Sequence, residues 1–458
     1  MSTQQHQLSF KEKLAYGAGD TASNFFFQTF GIFLLYYYTD VFGLSAAAVG
    51  TMFFVSKLWD ALNDPIMGAV SDRTQTRFGK FRPYLLWMAV PYGVMGYLMF
   101  ANPDLSADGK LIYAWVTYSL MMMLYTAINV PYSALMGVMT PSSQERTLLA
   151  SYRFIGAFGG GLLISMLVRP MVAYFGVDDE AQGFQITMAI FAVVSIGLFW
   201  FTFSGTKERV VVAEEKSSVA RDLKLLFGMR PWVVLCFSGI FTLTTIALKG
   251  AVTIHFFKYY VGDDGSSVFL FFDRTSLFLT SGMLAMIVGV SLTKRLTEHF
   301  DKKQLMIWLS VGNMLTLLLM FFVPADQVFL LFALNIMGSL FSGPTAPLVW
   351  AMYADVADYG EWQHNRRTTG LVFSASMFAQ KFGLTIGAGL SGWLLAGFGY
   401  VANETQSNDA MLGIRLLFTL IPAAIALLNI VALSFYNLTD KKVAQIEEEL
   451  MQRKQAVA

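Results

Sequence analysis

Ionisable side chains stand inside stretches that are otherwise apolar: Asp20, Lys57, Asp60, Asp64, Arg153, Lys249 and Lys381. In hydrocarbon such a group costs on the order of a few kcal/mol or more, so it pairs, faces a wet cavity or carries function. Lys57, Asp60 and Asp64, within KLWDALNDPIMG, are spaced i, i+3, i+7, which puts all three on one stripe of a helix. Two carboxylates one turn apart can offer oxygens to a small hard cation such as Na+, or can share and release a proton. The plainer reading is that Lys57 neutralises Asp60 while Asp64 accepts from some other buried donor. Thr126 and Asn129, i and i+3 within LYTAINVP, are neutral oxygens that could complete a cation shell.

Arg153, in ASYRFIGAFGGG, and Lys381, in FAQKFGLTIGAG, belong to opposite halves of the chain, and their donors could meet in a central cavity with Asp20 opposing Arg153. Carboxylate and guanidinium groups each engage two neighbouring hydroxyls in fixed geometry, which suits a sugar. Purely structural ion pairs are the competing account. Trp59, Tyr132, Trp350 and the run Tyr36, Tyr37, Tyr38 could stack on sugar faces, although aromatic residues in membrane helices more often pack or face lipid. Trp350, beside GPTAP, is the strongest aromatic candidate.

These residues need elements to hold them. The chain has 458 residues, 55% hydrophobic and 14% charged, where a soluble domain is about 45 to 50% apolar and about 25% charged. Twelve spanning helices need roughly 240 apolar positions, which that composition supplies. A net charge of +1 gives no general pull toward nucleic acid. One cysteine, Cys236, rules out an intrachain disulfide, and His6, His255, His299 and His364 are too scattered for a zinc site.

Apolar stretches recur at 17–39, 46–70, 83–101, 111–139, 148–175 and 184–203, then at 231–261, 275–292, 305–324, 328–353, 371–399 and 410–436. The expected architecture is an all-α membrane protein of twelve helices in two six-helix pseudo-repeats: bundles over 1–203 and 231–436, a cytoplasmic linker over 204–230, and a charged cytoplasmic tail over 437–458 whose helix is read as solvated. GAVSDRTQTRFGKFRP after the second stretch and GVSLTKRLTEHFDKKQ after the eighth echo each other, a small residue leading into a basic loop. Most of the 32 Lys and Arg fall on the side that also holds both termini, so the positive-inside bias places the termini in the cytoplasm of a cell inner membrane. Two such halves with a site near the midplane form the architecture of many secondary transporters.

The segments YGAGD (16–20), YYTDVFGL (37–44), WDALNDPIMG (59–68), RFGKFRP (77–83) and ADVADYGEW (354–362), with the Lys381 region, resemble the glycoside-pentoside-hexuronide:cation symporters of the major facilitator superfamily along nearly the whole chain. The resemblance implies that Asp20 and Arg153 bind sugar, that Asp60 and Asp64 form the cation site with Thr126 as its hydroxyl, and that Lys381 links the two halves. Asn129 and Ser133 stand where the melibiose carriers of that family hold an aspartate and a tryptophan. Lys249 is an added base. These departures resemble the pentoside and hexuronide branches more, and neutral and anionic sugars both remain open.

The expected function is sugar transport coupled to Na+ or H+ by alternating access, with the bilayer and a small sugar as partners, no resident cofactor and no obligate protein partner. A uniporter, an exchanger or a lipid carrier on the same fold is the alternative. A membrane-bound transferase would need acid–base or nucleophilic groups at a membrane face, whereas the acids here lie inside helices.

Overall fold

A computed structural model describes residues 7–210, 226–364 and 369–457, and among these the chain is helical with no strand. Part of the expected linker, 211–225, lies outside the described residues. In the first half, α1 (Phe10–Ile32) runs on through Leu34–Tyr36 into a π-helical turn, Tyr37–Val41. It is followed by α2 (Ala46–Arg73), α3 in two pieces (Arg82–Trp87 and Ala89–Leu98), α4 (Ala107–Met139), α5 (Ser143–Phe175) and α6 (Glu180–Gly205).

In the second half, α7 (Arg230–His255) also ends in a π-helical turn, Phe256–Val261. Then come α8 (Arg274–His299), α9 (Lys302–Phe321), α10 in two pieces (Val328–Ser342 and Thr345–His364), α11 (Thr369–Gly397), and α12 in two pieces (Asn408–Phe418 and Leu420–Ser434). A tail helix, α13, covers Asp440–Val457. Eight helical stretches among the described residues are long and apolar enough to cross a membrane by length and composition. The first two helices, which carry Asp20 and the Lys57, Asp60, Asp64 stripe, are not among them.

Small polar residues set where the helices begin. Ser9 and Glu12 form a reciprocal capping box at α1, and Ser106, Asp179 and Ser407 accept from the first-turn amides of Gly109, Ala181 and Ala410 at 3.2, 2.9 and 3.1 Å. Each satisfies an amide that the helix itself cannot pair. An acid that follows the sixth helix of each half then caps the third. Glu208 accepts from the amides of Lys80, Phe81 and Arg82 at 2.8, 2.8 and 2.9 Å, and Asp440 accepts from the amide of Lys302 at 3.0 Å.

The chain divides into two compact units. The first holds the described residues of α1 to α6 together with Asp263–Thr280 and Tyr400–Thr405; the second holds the remainder. In the first unit Arg169 Nε donates to Asp273 Oδ2 at 2.7 Å, and Tyr400 Oη donates to Asp40 Oδ2 at 2.5 Å. The tail departs from the solvated reading. Val443, Ile446 and Leu450, spaced along one face of α13, are buried against a cluster that includes Met352, Val356 and Tyr436. Trp362 Nε1 donates to Glu449 at 2.6 Å and Arg453 donates to the Trp362 carbonyl at 3.0 Å. The charges that dominate the tail's composition lie beside that apolar stripe and conceal it.

Candidate functional site

Glycines decide how near α5 comes to α1. A Cβ added at Gly17 would lie 2.6 Å from the Tyr152 carbonyl oxygen, one at Gly160 would lie 3.0 Å from that of Thr21, and one at Gly156 would overlap the Gly17 carbonyl. Small residues four apart let helix backbones meet in a membrane, where packing rather than water drives association. Thr21 Oγ1 adds a hydrogen bond to the Gly156 carbonyl at 3.0 Å. This seam sets Arg153 opposite Asp20.

Arg153 Nε donates to Asp20 Oδ2 at 2.7 Å, and Nη1 reaches Ser133 Oγ on α4 at 3.3 Å. The guanidinium lies 4.9 Å from the centre of the Tyr132 ring, which stacks on Tyr16 at 4.8 Å. Tyr132 Oη donates to the Tyr16 carbonyl at 2.5 Å and Tyr16 Oη donates back to the Tyr132 carbonyl at 3.3 Å. The tyrosine pair is therefore a rigid floor under the cation. Arg153 keeps 26% of its side chain exposed and Asp20 keeps 13%, so the ion pair is not sealed and its remaining donors and lone pairs are open to a polyhydroxylated ligand.

The second cluster joins α2 to α4. Thr126 Oγ1 hydrogen bonds to Asp60 Oδ1 and stands 3.2 Å from Asp64 Oδ1. Asp60 and Thr126 are buried, while Asp64 is half-buried. A hydroxyl has one proton and can satisfy one carboxylate at a time, but its oxygen also carries lone pairs. The same three groups can therefore hold a proton on one carboxylate or surround a small monovalent cation with oxygen. Among the described residues no three or more His, Cys, Asp or Glu converge on one point, so a cation shell needs neutral oxygens beside its carboxylates. Lys57 lies one turn before Asp60 on α2 and is half-buried.

Asn129, expected in both the cation shell and the sugar site, has hydrogen bonds to α1 and to its own helix. Ser23 Oγ on α1 donates to its Oδ1 at 2.7 Å, and its Nδ2 donates to the Tyr125 carbonyl at 3.0 Å. Sharing a stripe with Thr126 does not give it the same partners, because α1 and α2 meet different edges of that stripe. Asn129 thereby lies between the two clusters along α4. Ser23, Tyr16 and the bonding role of Ser133 were not singled out from the sequence, since serine and tyrosine are ordinary constituents of membrane helices.

The remaining expected site residues sit in the second unit. Lys249 Nζ lies 3.4 Å from Asn335 Oδ1 and 5.4 Å from the centre of the Phe418 ring. Trp350 stacks on Phe373 at 5.6 Å and meets Tyr353 edge-on at 6.1 Å. Lys381 is half-buried on α11, where its carbonyl accepts from Thr385 Oγ1 at 2.9 Å. Of the other aromatics, Trp59 is exposed, and Tyr37 and Tyr38 are buried against Phe42.

Known proteins share this sequence and fold. YagG of Escherichia coli (strain K12), named as a glycoside/cation symporter, is 40% identical over 452 residues, spanning 98% of this chain and 96% of its own. The isoprimeverose transporter of Lactiplantibacillus pentosus is 35% identical over 452 residues, spanning 98% of this chain and 91% of its own. The crystal structure of a D-xylose-proton symporter superposes with a TM-score of 0.62 at 16% identity, covering 91% of this chain and 97% of that one, a likeness of fold alone. The family profile described as MFS/sugar transport protein matches residues 15–440. A multi-pass helical chain with a charge-paired polar site inside its helices, matched over that range and at those identities, belongs to this family of membrane transporters of the major facilitator fold.

Proposed function

We propose that the chain is a sugar:cation symporter carrying a neutral glycoside together with one monovalent cation, Na+ or H+. The observation that carries this reading is the stripe on α4. Thr126 bonds the Asp60 and Asp64 cluster, Asn129 bonds Ser23, and Ser133 bonds Arg153, the partner of Asp20. Filling the cation cluster changes what Thr126 must satisfy, and the same helix, further along and past Pro131, carries Ser133 into the sugar cluster.

Charge supports the choice of ligands. Lys57, Asp60 and Asp64 together carry one net negative charge when ionised, which matches a single monovalent cation and not a divalent one. Asp20 and Arg153 cancel, so a neutral glycoside leaves that pair balanced. In this reading Lys249, Trp350 and Lys381 are candidate polar and aromatic ligand groups within the second unit. The names of the relatives, a glycoside/cation symporter and an isoprimeverose transporter, support a glycoside. The concentration of Lys and Arg on one side supports a cell inner membrane with both termini cytoplasmic.

The test is counterflow and gradient-driven uptake of labelled glycosides in proteoliposomes, with and without Na+ and with and without a pH gradient. Accumulation that needs one of the two gradients is expected. Uptake indifferent to both cations would leave a uniporter, and no sugar flux in any condition would leave a carrier for lipid.

A further inference from the structure

The connection between α7 and α8 ends in an apolar tip. Val268, Phe269, Leu270 and Phe271 are 59, 61, 74 and 55% exposed, four consecutive large side chains with no charge among them. The backbone beneath them is closed on itself. Val268 N donates to the Phe272 carbonyl at 2.8 Å, and Phe272 N donates to the Phe269 carbonyl at 2.9 Å.

Both stems are clamped. Asp263 Oδ2 accepts from the Thr275 amide at 2.9 Å and from its hydroxyl at 2.5 Å. Asp273 accepts from the Ser276 amide at 2.8 Å and from Arg169 at 2.7 Å.

The tip is also strained. Leu270 has φ of 54°, in the left-handed region where a glycine or asparagine would sit more easily. A leucine held there, three-quarters exposed, contributes nothing to the packing of this chain. Its side chain gains only if something outside the chain is apolar.

We propose that this turn is an interfacial anchor, its Val268–Phe271 side chains seated in the lipid leaflet at the membrane face opposite the chain termini. Three features favour lipid over a protein partner. The turn emerges from the ends of two spanning helices, α7 with its π-helical extension and α8, so it starts at interface depth. The bonds that close the turn pair the amides of Val268, Phe269 and Phe272, which lowers the cost of bringing it to the interface. Its side chains project as separate apolar groups flanked by exposed Asp264 on one side and half-buried Arg274 on the other, a polar collar for an interfacial segment. Lipid needs no matching shape, whereas a protein partner would need a patterned surface.

The experiment is collision accessibility of a nitroxide in proteoliposomes. Cys236, which is free and buried, is first replaced (Cys236→Ala). Leu270→Cys and Phe269→Cys are then labelled one at a time, with Asp264→Cys as the aqueous reference. Leu270→Cys alters only the tip, and Phe269→Cys supplies a second reading if the first variant folds poorly. The expected result is an oxygen-to-nickel-chelate collision ratio several-fold higher at 269 and 270 than at 264. A ratio equal to that of the reference would put the tip in water. Protection from both reagents would bury it in protein, such as a second copy of this chain. Either result overturns the proposal.

Discussion

Thr126 and Ser133 stand seven residues apart on one stripe of α4, the first bonded to Asp60 and the second to Arg153. Seven residues of helix advance about 10 Å, so the two polar clusters are neighbouring but separate, and the helix between them contains Pro131, which removes one backbone hydrogen bond there. Asn129, between them, is tied to α1 through Ser23 at 2.7 Å. This face of α4 therefore meets α2, α1 and α5 in turn, the helices that carry Asp60 and Asp64, Asp20, and Arg153.

Removing either carboxylate of the α2 cluster should uncouple transport. Asp60→Asn and Asp64→Asn are expected to lose gradient-driven accumulation while retaining binding of labelled sugar, because the sugar cluster draws on α1 and α5. Thr126→Ala should lower the apparent cation affinity without abolishing accumulation. Uptake against a gradient that matches the parent in both carboxylate variants would reject the cation assignment.

The Asp20–Arg153 pair carries a different signature. Removing one partner of a partly buried ion pair leaves a poorly compensated charge, whereas removing both is milder, and partial exposure keeps the single-variant cost below the cost of about 3–5 kcal/mol for a fully buried pair. Asp20→Asn and Arg153→Gln should each lower the thermal midpoint, and the double variant should recover most of the loss. None of the three should give a sugar heat in calorimetry. Recovery of sugar binding in the double variant would show that the pair is structural and that the ligand sits elsewhere.

The charged half of this site could be read from the sequence because charge in a membrane helix is costly and therefore informative. Asp60 and Asp64 on one stripe needed only spacing and the cost of burial, whereas Asp20 with Arg153, on different helices, was an opposition of charges to which the family resemblance gave a role. Ser23, Tyr16 and Ser133 carried no such signal, since each is cheap to place in a helix and acquires its role from the helix opposite. Asn129 shows the limit of a stripe argument, because periodicity gives a residue's face but not its neighbour. The twelve helices followed from apolar length. The breaks within them, at Met88 and Thr419, and the π-helical turns closing α1 and α7 did not, since each depends on local hydrogen bonding that composition does not encode.

The helix seam is repeated in the second half, and the repeat can be tested. Thr244 on α7 donates to the Gly383 carbonyl on α11 at 3.0 Å, the same distance as Thr21 to Gly156. A Cβ at Gly387 would lie 2.6 Å from the Thr244 carbonyl oxygen. Gly156→Val and Gly387→Val should each prise apart one seam and lower the thermal midpoint, but only the first displaces Arg153. Sugar binding measured above the stability loss should fail in Gly156→Val. Equal binding defects in the two variants would show that the α1–α5 approach has no special part in forming the site.

A cap offers a cleaner stability test away from the site. Glu208 takes three amides at the start of α3, and hydrogen bonds to a charged acceptor contribute about 1.5–3 kcal/mol each when they cannot be replaced by water. Water reaches this loop, so Glu208→Ala should cost about 1–2 kcal/mol overall, near the upper range for loss of a helix cap. Sugar affinity should not change. A parallel fall in affinity would mean that the end of α3 positions α4 as well.

Whether the ligand is neutral or anionic turns on Lys249. The Asp20–Arg153 pair is balanced, so it offers a uronic carboxylate no net charge, and Lys249 is a base that could favour one. Its Nζ is 3.4 Å from a neutral amide oxygen, that of Asn335, and faces the Phe418 ring at 5.4 Å. An ammonium placed against an amide and an aromatic face can donate to sugar hydroxyls as readily as to a carboxylate. A competition assay between a glycoside and its matching uronide, run on the parent and on Lys249→Gln, separates the two roles. The neutral glycoside should compete better in the parent, and Lys249→Gln should weaken it about tenfold or less, as expected for loss of one charge-assisted hydrogen bond of ~1.4 kcal/mol. A parent that prefers the uronide, with the preference abolished by Lys249→Gln, would make Lys249 the recognition group for an acid and overturn the neutral reading.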